Sequence, residues 1–142
     1  MRQTLFWLRN DLGEEIFLPE RASGLQLNPA IIKADLWTFR DALQRGATEE
    51  AVVAYGGPFM DGFQIPGAPE LSQWVDAERS RLAREHVSAL DALAREADSA
   101  GRYNDAVGWR RRQAAADPFS SRSALALLRA LAAAGDRTGA LE

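Results

Sequence analysis

A mainly α chain of helical hairpins, opened by a short helix and a β-hairpin, is the fold class the sequence predicts. Three observations lead there. Apolar residues recur at helical spacing through most of residues 31–142, the pattern of helices with one buried face. Gly46, Gly101 and Gly135 stand where those patterns stop, and glycine is the usual residue just past a helix end. Short apolar runs flanking a polar turn occur only near the start, between Ile16 and Leu27.

The first element is TLFWLRNDLG, with Leu5, Leu8 and Leu12 on one helical face and Gly13 as its stop. Ile16–Leu18 and Leu25–Leu27 read as two short strands, with Ser23 and Gly24 supplying the turn. A helix followed by a hairpin is the closing half of a winged helix, so residues 1–30 form a partial winged helix and residues 31–142 a helical-repeat domain. In the second region Asp35 suits the N-cap or first turn of a helix carrying Leu36, Phe39 and Leu43. Thr48 is a candidate N-cap for the next, with Glu49 and Glu50 in its first turn. That helix stops at Gly56-Gly57-Pro58, and PFMDGFQIPGAPE is too rich in Gly and Pro to be a long helix. A long apolar pattern then runs from Leu71 through Trp74, Val75, Leu82, Val87, Leu90 and Leu93 to Gly101. Asn104–Ala116 follows, closed by Asp117-Pro118, then Ser121–Ala134, closed by Gly135.

Gly101 and Gly135, Ala106 and Ala140, and Leu93 and Leu127 each stand 34 residues apart. That is the period of the tetratricopeptide repeat, a helix–turn–helix unit. Its glycine ends the first helix, its small residue lets the second helix approach closely, and its proline stops the second. Gly101, Ala106 and Pro118 fit these places, and Gly46 with Ala51 repeats the Gly-to-Ala spacing. The later aromatic of the repeat is replaced by Arg110, and Arg137 stands where Tyr103 does.

Composition narrows the function. The net charge is −3, whereas a free-standing nucleic-acid binder usually presents a basic face. No cysteine is present, which excludes disulfides and thiolate metal sites. The start has neither a long apolar run nor a small-residue cleavage site. The apolar stretch 124–134 is short and interrupted by Arg129, so a cytoplasmic location with no membrane contact is expected.

The order of segments carries a resemblance. L-x-x-L-R-x-x-L-G is followed by a hairpin ending GLQL, then DLWTF, YGGPFMDGF, WVDAERSRL and the repeats. This resembles the bacterial transcriptional activator domain of the Streptomyces antibiotic regulatory protein family. The likeness spans nearly the whole chain, and YGGPFMDGF followed by WVDAERSRL is its most specific portion. The resemblance implies a winged-helix DNA reader ahead of a tetratricopeptide-like domain, both serving transcription activation. It also implies DNA contacts from Arg2, Gln3, Arg9 and Asn10 of the first helix and from Arg21 in the hairpin turn. This chain departs from the family pattern there, since the DNA-reading unit is present only from its recognition helix onward. The outward face of that helix also offers Phe6 and Trp7, apolar surface where a groove reader presents donors and cations. Exposed aromatics suit contact with protein, in a homodimer or against the helical domain.

Other constellations read as structure. Arg110–Arg112 spread around a helical turn and read as a solvated surface near a helix end. His86 is the single histidine and lacks the partners of a triad or metal cluster. Glu14-Glu15 and Glu49-Glu50 diverge, which argues against general acid/base use. GGPFMDGF lacks the Lys and hydroxyl residue of a phosphate-binding loop and reads as a packed turn. Trp37 and Trp74 read as core. No enzyme activity, cofactor or metal is expected.

Stacked hairpins line a concave side with their first helices. By repeat phase that side holds Ser88, Asp91, Arg95 and Asp98 from one hairpin, and Arg122 and Arg129 from the next. Arg95, Arg122 and Arg129 there could grip an acidic or C-terminal peptide. The asparagines that chaperone-binding repeats use for a terminal carboxylate are missing from these helices. The expected function is the regulatory, protein-interaction domain of a bacterial transcriptional activator. Its partner would be RNA polymerase, another regulator domain or itself, and DNA only with the missing winged-helix part. The alternatives are a free-standing adaptor unrelated to transcription and a DNA reader completed by a partner chain.

Overall fold

Three helix ends in this chain are set by glycines whose backbone other residues resist, at Gly46, Gly101 and Gly135. The computed structural model describes residues 7, 10, 11, 13–18, 26–64 and 66–135. Near the start, Trp7, Asn10 and Asp11 are helical and a 3-10 turn spans Glu14–Ile16. Beyond these, the described residues form five α-helices: α1 (Asp35–Gln44), α2 (Thr48–Ala54), α3 (Pro69–Ser99), α4 (Tyr103–Ala116) and α5 (Ser121–Ala133). Each packs chiefly on its neighbours in the chain.

The sequence-predicted β-hairpin is not seen as two strands. Among the described residues there is one antiparallel bridge, Phe17 to Leu27, flanked by Leu18 N–H to Gln26 O at 2.9 Å and Asn28 N–H to Ile16 O at 2.7 Å. Ile16, placed in a strand by its sequence, closes the 3-10 turn instead. The expected turn residues Ser23 and Gly24, and Leu25 with them, lie outside the described residues, as do Leu5, Leu8 and Leu12.

The helical hairpins follow one local plan. α1 buries Phe39 and Ala42, with Leu36 and Leu43 packed beside them. It ends at Gly46, φ 71°, where Gly46 N–H reaches Leu43 O and Ala47 N–H reaches Ala42 O at 2.9 Å. That bond pair satisfies carbonyls a helix end leaves open. α3 ends the same way. Gly101 has φ 71°, its N–H reaches Asp98 O, and Arg102 N–H reaches Ala97 O at 2.9 Å. Five residues past each glycine stand Ala51 and Ala106, both with 0% exposure. Gly135, φ 82°, closes α5 alike, while its counterpart alanine, Ala140, lies outside the described residues. Thr48 is not the N-cap of α2. It is the first helical residue, and Ala47 ahead of it makes no side-chain cap.

α3 is the spine, 31 residues long, or about 46 Å at the usual rise per residue. Its Leu82 joins the Phe39 cluster, and its Ala89 and Leu90 meet Val52 of α2 with Trp109 of α4 alongside. Val107 of α4 packs on Ala130 and Leu131 of α5. The clusters therefore run in a row, each shared by adjacent helices. Arg40 of α1 pairs with Glu78 of α3. No helix among the described residues is long and apolar enough to cross a membrane.

The segment after α2 folds back onto α3 through a cation. Arg79 donates from Nε to Phe59 O at 2.6 Å, from Nη2 to Met60 O, and from Nη1 to Asp76 at 3.1 Å. Met60 is a non-glycine residue at φ 50°, a conformation held only where surroundings over-determine it. Trp74 is not core: it is 54% exposed and meets Phe59 edge-on at 5.9 Å. Trp37 is half-buried.

His86 lies buried on α3, its ring stacked on Tyr55 at 4.2 Å, and its Nδ1 has no hydrogen-bond partner among the described residues. Burial lowers its pKa, and the Arg112 charge lowers it further. The unfolded chain therefore binds a proton more readily than the folded one. Stability is fully present above the ordinary histidine value of about 6.5 and falls as pH drops through the lowered folded value. Urea midpoints measured between pH 7.5 and pH 5 should decline, and His86→Phe should flatten that decline.

Two glycines should respond oppositely to alanine. Gly101→Ala forces a side chain into a left-handed conformation, costing about 1 kcal/mol. Gly108, exposed within α4 at ordinary helical φ, has open space where a Cβ would stand, so Gly108→Ala should add about 0.5–1 kcal/mol. Urea denaturation reads both.

Candidate functional site

α3, the end of α4 and the start of α5 enclose a groove of about 510 Å³. The second half of α3 brings Arg84, Ser88 and Asp91 to one wall. Gln113 and Asp117 come from the end of α4, and Ser120, Arg122 and Ser123 from the start of α5. Ala83, Val87 and Ala116 supply apolar surface between them.

A polar network sets the electrostatics of the wall. Arg110, only 7% exposed, donates through Nη1 to Asp91 Oδ1 and to Gln113 Oε1, the latter at 2.7 Å. Arg95 Nε lies 3.0 Å from Asp91 Oδ2. Partial burial pushes the Asp91 carboxyl upward, but the hydrogen bond and charge of Arg110, with Arg95 and Gln113, hold it below the usual carboxylate value. Asp91 is thus charged, with a cation on each oxygen.

The start of α5 differs from the other helix starts. Asp35, Glu49 with Glu50, Glu70 and Asp105 place acid in the first turns of α1 to α4, and α5 has none. Ser120 caps it, its Oγ accepting from Ser123 N–H at 3.2 Å, as N-cap serines do. With no acid there, the positive end of the helix dipole is left without local compensation.

The structure brings three sequence-predicted residues of the concave side, Ser88, Asp91 and Arg122, into one groove. Arg95 borders it through Asp91. Arg129 is exposed on α5 but does not line it. Trp7 is 59% exposed and Asn10 is exposed. Arg2, Gln3, Phe6, Arg9 and Arg21 lie outside the described residues.

Arg110–Arg112 do not form a uniformly solvated surface. Arg110 is buried on Asp91, Arg111 is exposed, and the Arg112 guanidinium sits 5.0 Å from the centroid of the Trp109 ring. Successive helical residues point about 100° apart, so one of three adjacent arginines meets α3. Arg84, Gln113 and Ser123 escaped the sequence reading of the groove. Arg84 stood one helical turn before Ser88, a visible signal. Ser123 gave none, because its place depends on how α5 crosses α3.

A family model described as Bacterial transcriptional activator domain matches residues 35–142. Neither curated proteins nor solved structures give a significant match.

Replacing Arg110 by Ala leaves Asp91 and Gln113 without their shared donor. The expected loss is about 2 kcal/mol, less than for a fully buried pair because Asp91 keeps part of its surface in water. Urea unfolding of Arg110→Ala beside Arg111→Ala checks this, and the second should change little.

Proposed function

The chain belongs to the bacterial transcriptional activator domain family, and we propose that it serves as the regulatory, protein-interaction domain of a transcriptional activator. The observation that carries this reading is the open groove between α3 and α5, built on a row of helices that pack in sequence. Such a row presents long surfaces held rigid by buried faces. Its hairpins are of tetratricopeptide-like kind, an assignment supported by Gly46 with Ala51 and Gly101 with Ala106, which share φ 71° and full burial respectively. In this reading the chain docks RNA polymerase, another regulator domain or itself, and catalyses nothing. The first 30 residues resemble the recognition helix and wing of a winged helix, and DNA contact by this chain is weak in this reading.

Purified RNA polymerase is the direct probe. The tagged chain should retain it, or self-associate by light scattering, and should bind promoter DNA only weakly. Recovery of non-transcriptional partners alone would favour a free-standing adaptor. Tight promoter binding with a steep loss at higher salt would favour a DNA reader and overturn the proposal.

A further inference from the structure

We propose that the α3–α5 groove is a carboxylate-binding site, taking Asp or Glu side chains from an extended acidic segment of a partner protein. This rests on the protein-interaction reading above and names the chemistry of the partner.

The first argument is charge. Arg40, Arg45, Arg79, Arg81, Arg95, Arg102 and Arg110 all have carboxylate partners among the described residues. Arg84, Arg111, Arg112, Arg122 and Arg129 have none among the described residues, and of these Arg84 and Arg122 line the groove together. Asp91 does not cancel them, because Arg110 and Arg95 already occupy its two oxygens. The groove is therefore locally positive in a chain of net charge −3. A guanidinium presents paired donors that match a carboxylate.

The second argument is a hydroxyl available to the groove. Ser123 is 3% exposed, and the surface it keeps lies on the groove. Its backbone N–H is used by Ser120, but its hydroxyl has no hydrogen-bond partner among the described residues. The hydroxyl is not sealed from solvent, since it keeps access through the groove, where a ligand acceptor can take the place of water. It stands at the first turn of α5, where no acid compensates the dipole. Here the backbone N–H groups of Ser121 and Arg122 also lack partners among the described residues, as the first N–H groups of a helix do.

Size and the remaining wall favour a peptide over a free ion. The groove has room for several residues, and Ala83, Val87 and Ala116 offer apolar contact between its cations. Asp117 is the one wall carboxylate without a cationic partner. It repels a phosphoryl dianion more than a carboxylate, and it can accept a backbone N–H of an extended segment.

The test uses the full chain and capped, fluorescently labelled heptapeptides in three matched sets, carrying Glu, Gln or phosphoserine at the same positions. Glu peptides should bind, with Gln peptides weaker by about tenfold or more, as expected for lost charged hydrogen bonds. Arg84→Ala and Arg122→Ala should each weaken the Glu peptides by about fivefold or more. Ser123→Ala should weaken them less, and Arg111→Ala, outside the groove, should leave them unchanged. Circular dichroism checks that each variant folds. Amide NMR shifts on peptide addition should centre on Ser121, Arg122 and Ser123. Equal binding of Gln peptides, preference for phosphoserine, competition by inorganic phosphate alone, or absence of binding overturns the proposal. Failure here with RNA polymerase or self-association retained removes the carboxylate site only, whereas loss of both removes the interaction reading itself.

Discussion

Two helices can lie side by side only if the chain between them reverses within a few residues and the facing side chains let the backbones approach. Gly46 and Gly101 meet the first demand with the same left-handed backbone and the same bonded carbonyls. Ala51 and Ala106 meet the second, both wholly buried, with Ala51 packed on Phe39 and Ala42 of α1. A side chain on either glycine strains the turn, and a larger residue at either alanine separates the helices. Every cluster further along inherits its geometry from these contacts, because each helix is placed by the one before it.

α3 converts those local units into one body. Its length lets Leu82 pack under α1 and α2 while Ala94 and Ala97 are buried on its last turns. Polar anchors follow the same helix. Arg79 holds the segment at Phe59 and Met60, Glu78 holds Arg40, and Asp91 holds the buried Arg110. The Asp91 anchor also shapes the groove, since it neutralises the wall that would otherwise repel an anion. Arg84 and Arg122 keep their charge available because neither forms an ion pair among the described residues.

The two segments that resemble the family most specifically prove to be halves of one contact. YGGPFMDGF supplies the accepting carbonyls of Phe59 and Met60, and WVDAERSRL supplies Arg79 to donate to them, with Trp74 edge-on to Phe59. Their pairing fixes how the loop after α2 returns to the spine, which is a packing requirement.

Periodicity and turn chemistry alone determined the helix order, the glycine stops and the small residues between helices, because these depend on neighbours a few positions away. The partnership of Phe59 with Trp74 and the register of the groove were not determined that way. Trp74 looked like core because an aromatic in an apolar pattern ordinarily is, and Arg110 looked solvated because it sits among arginines. Only the crossing of α4 over α3 put Asp91 beside Arg110, and only the approach of α5 set Arg122 and Ser123 across from Arg84 and Ser88. Such contacts join residues far apart in the chain, and no local preference encodes the angle at which two helices meet.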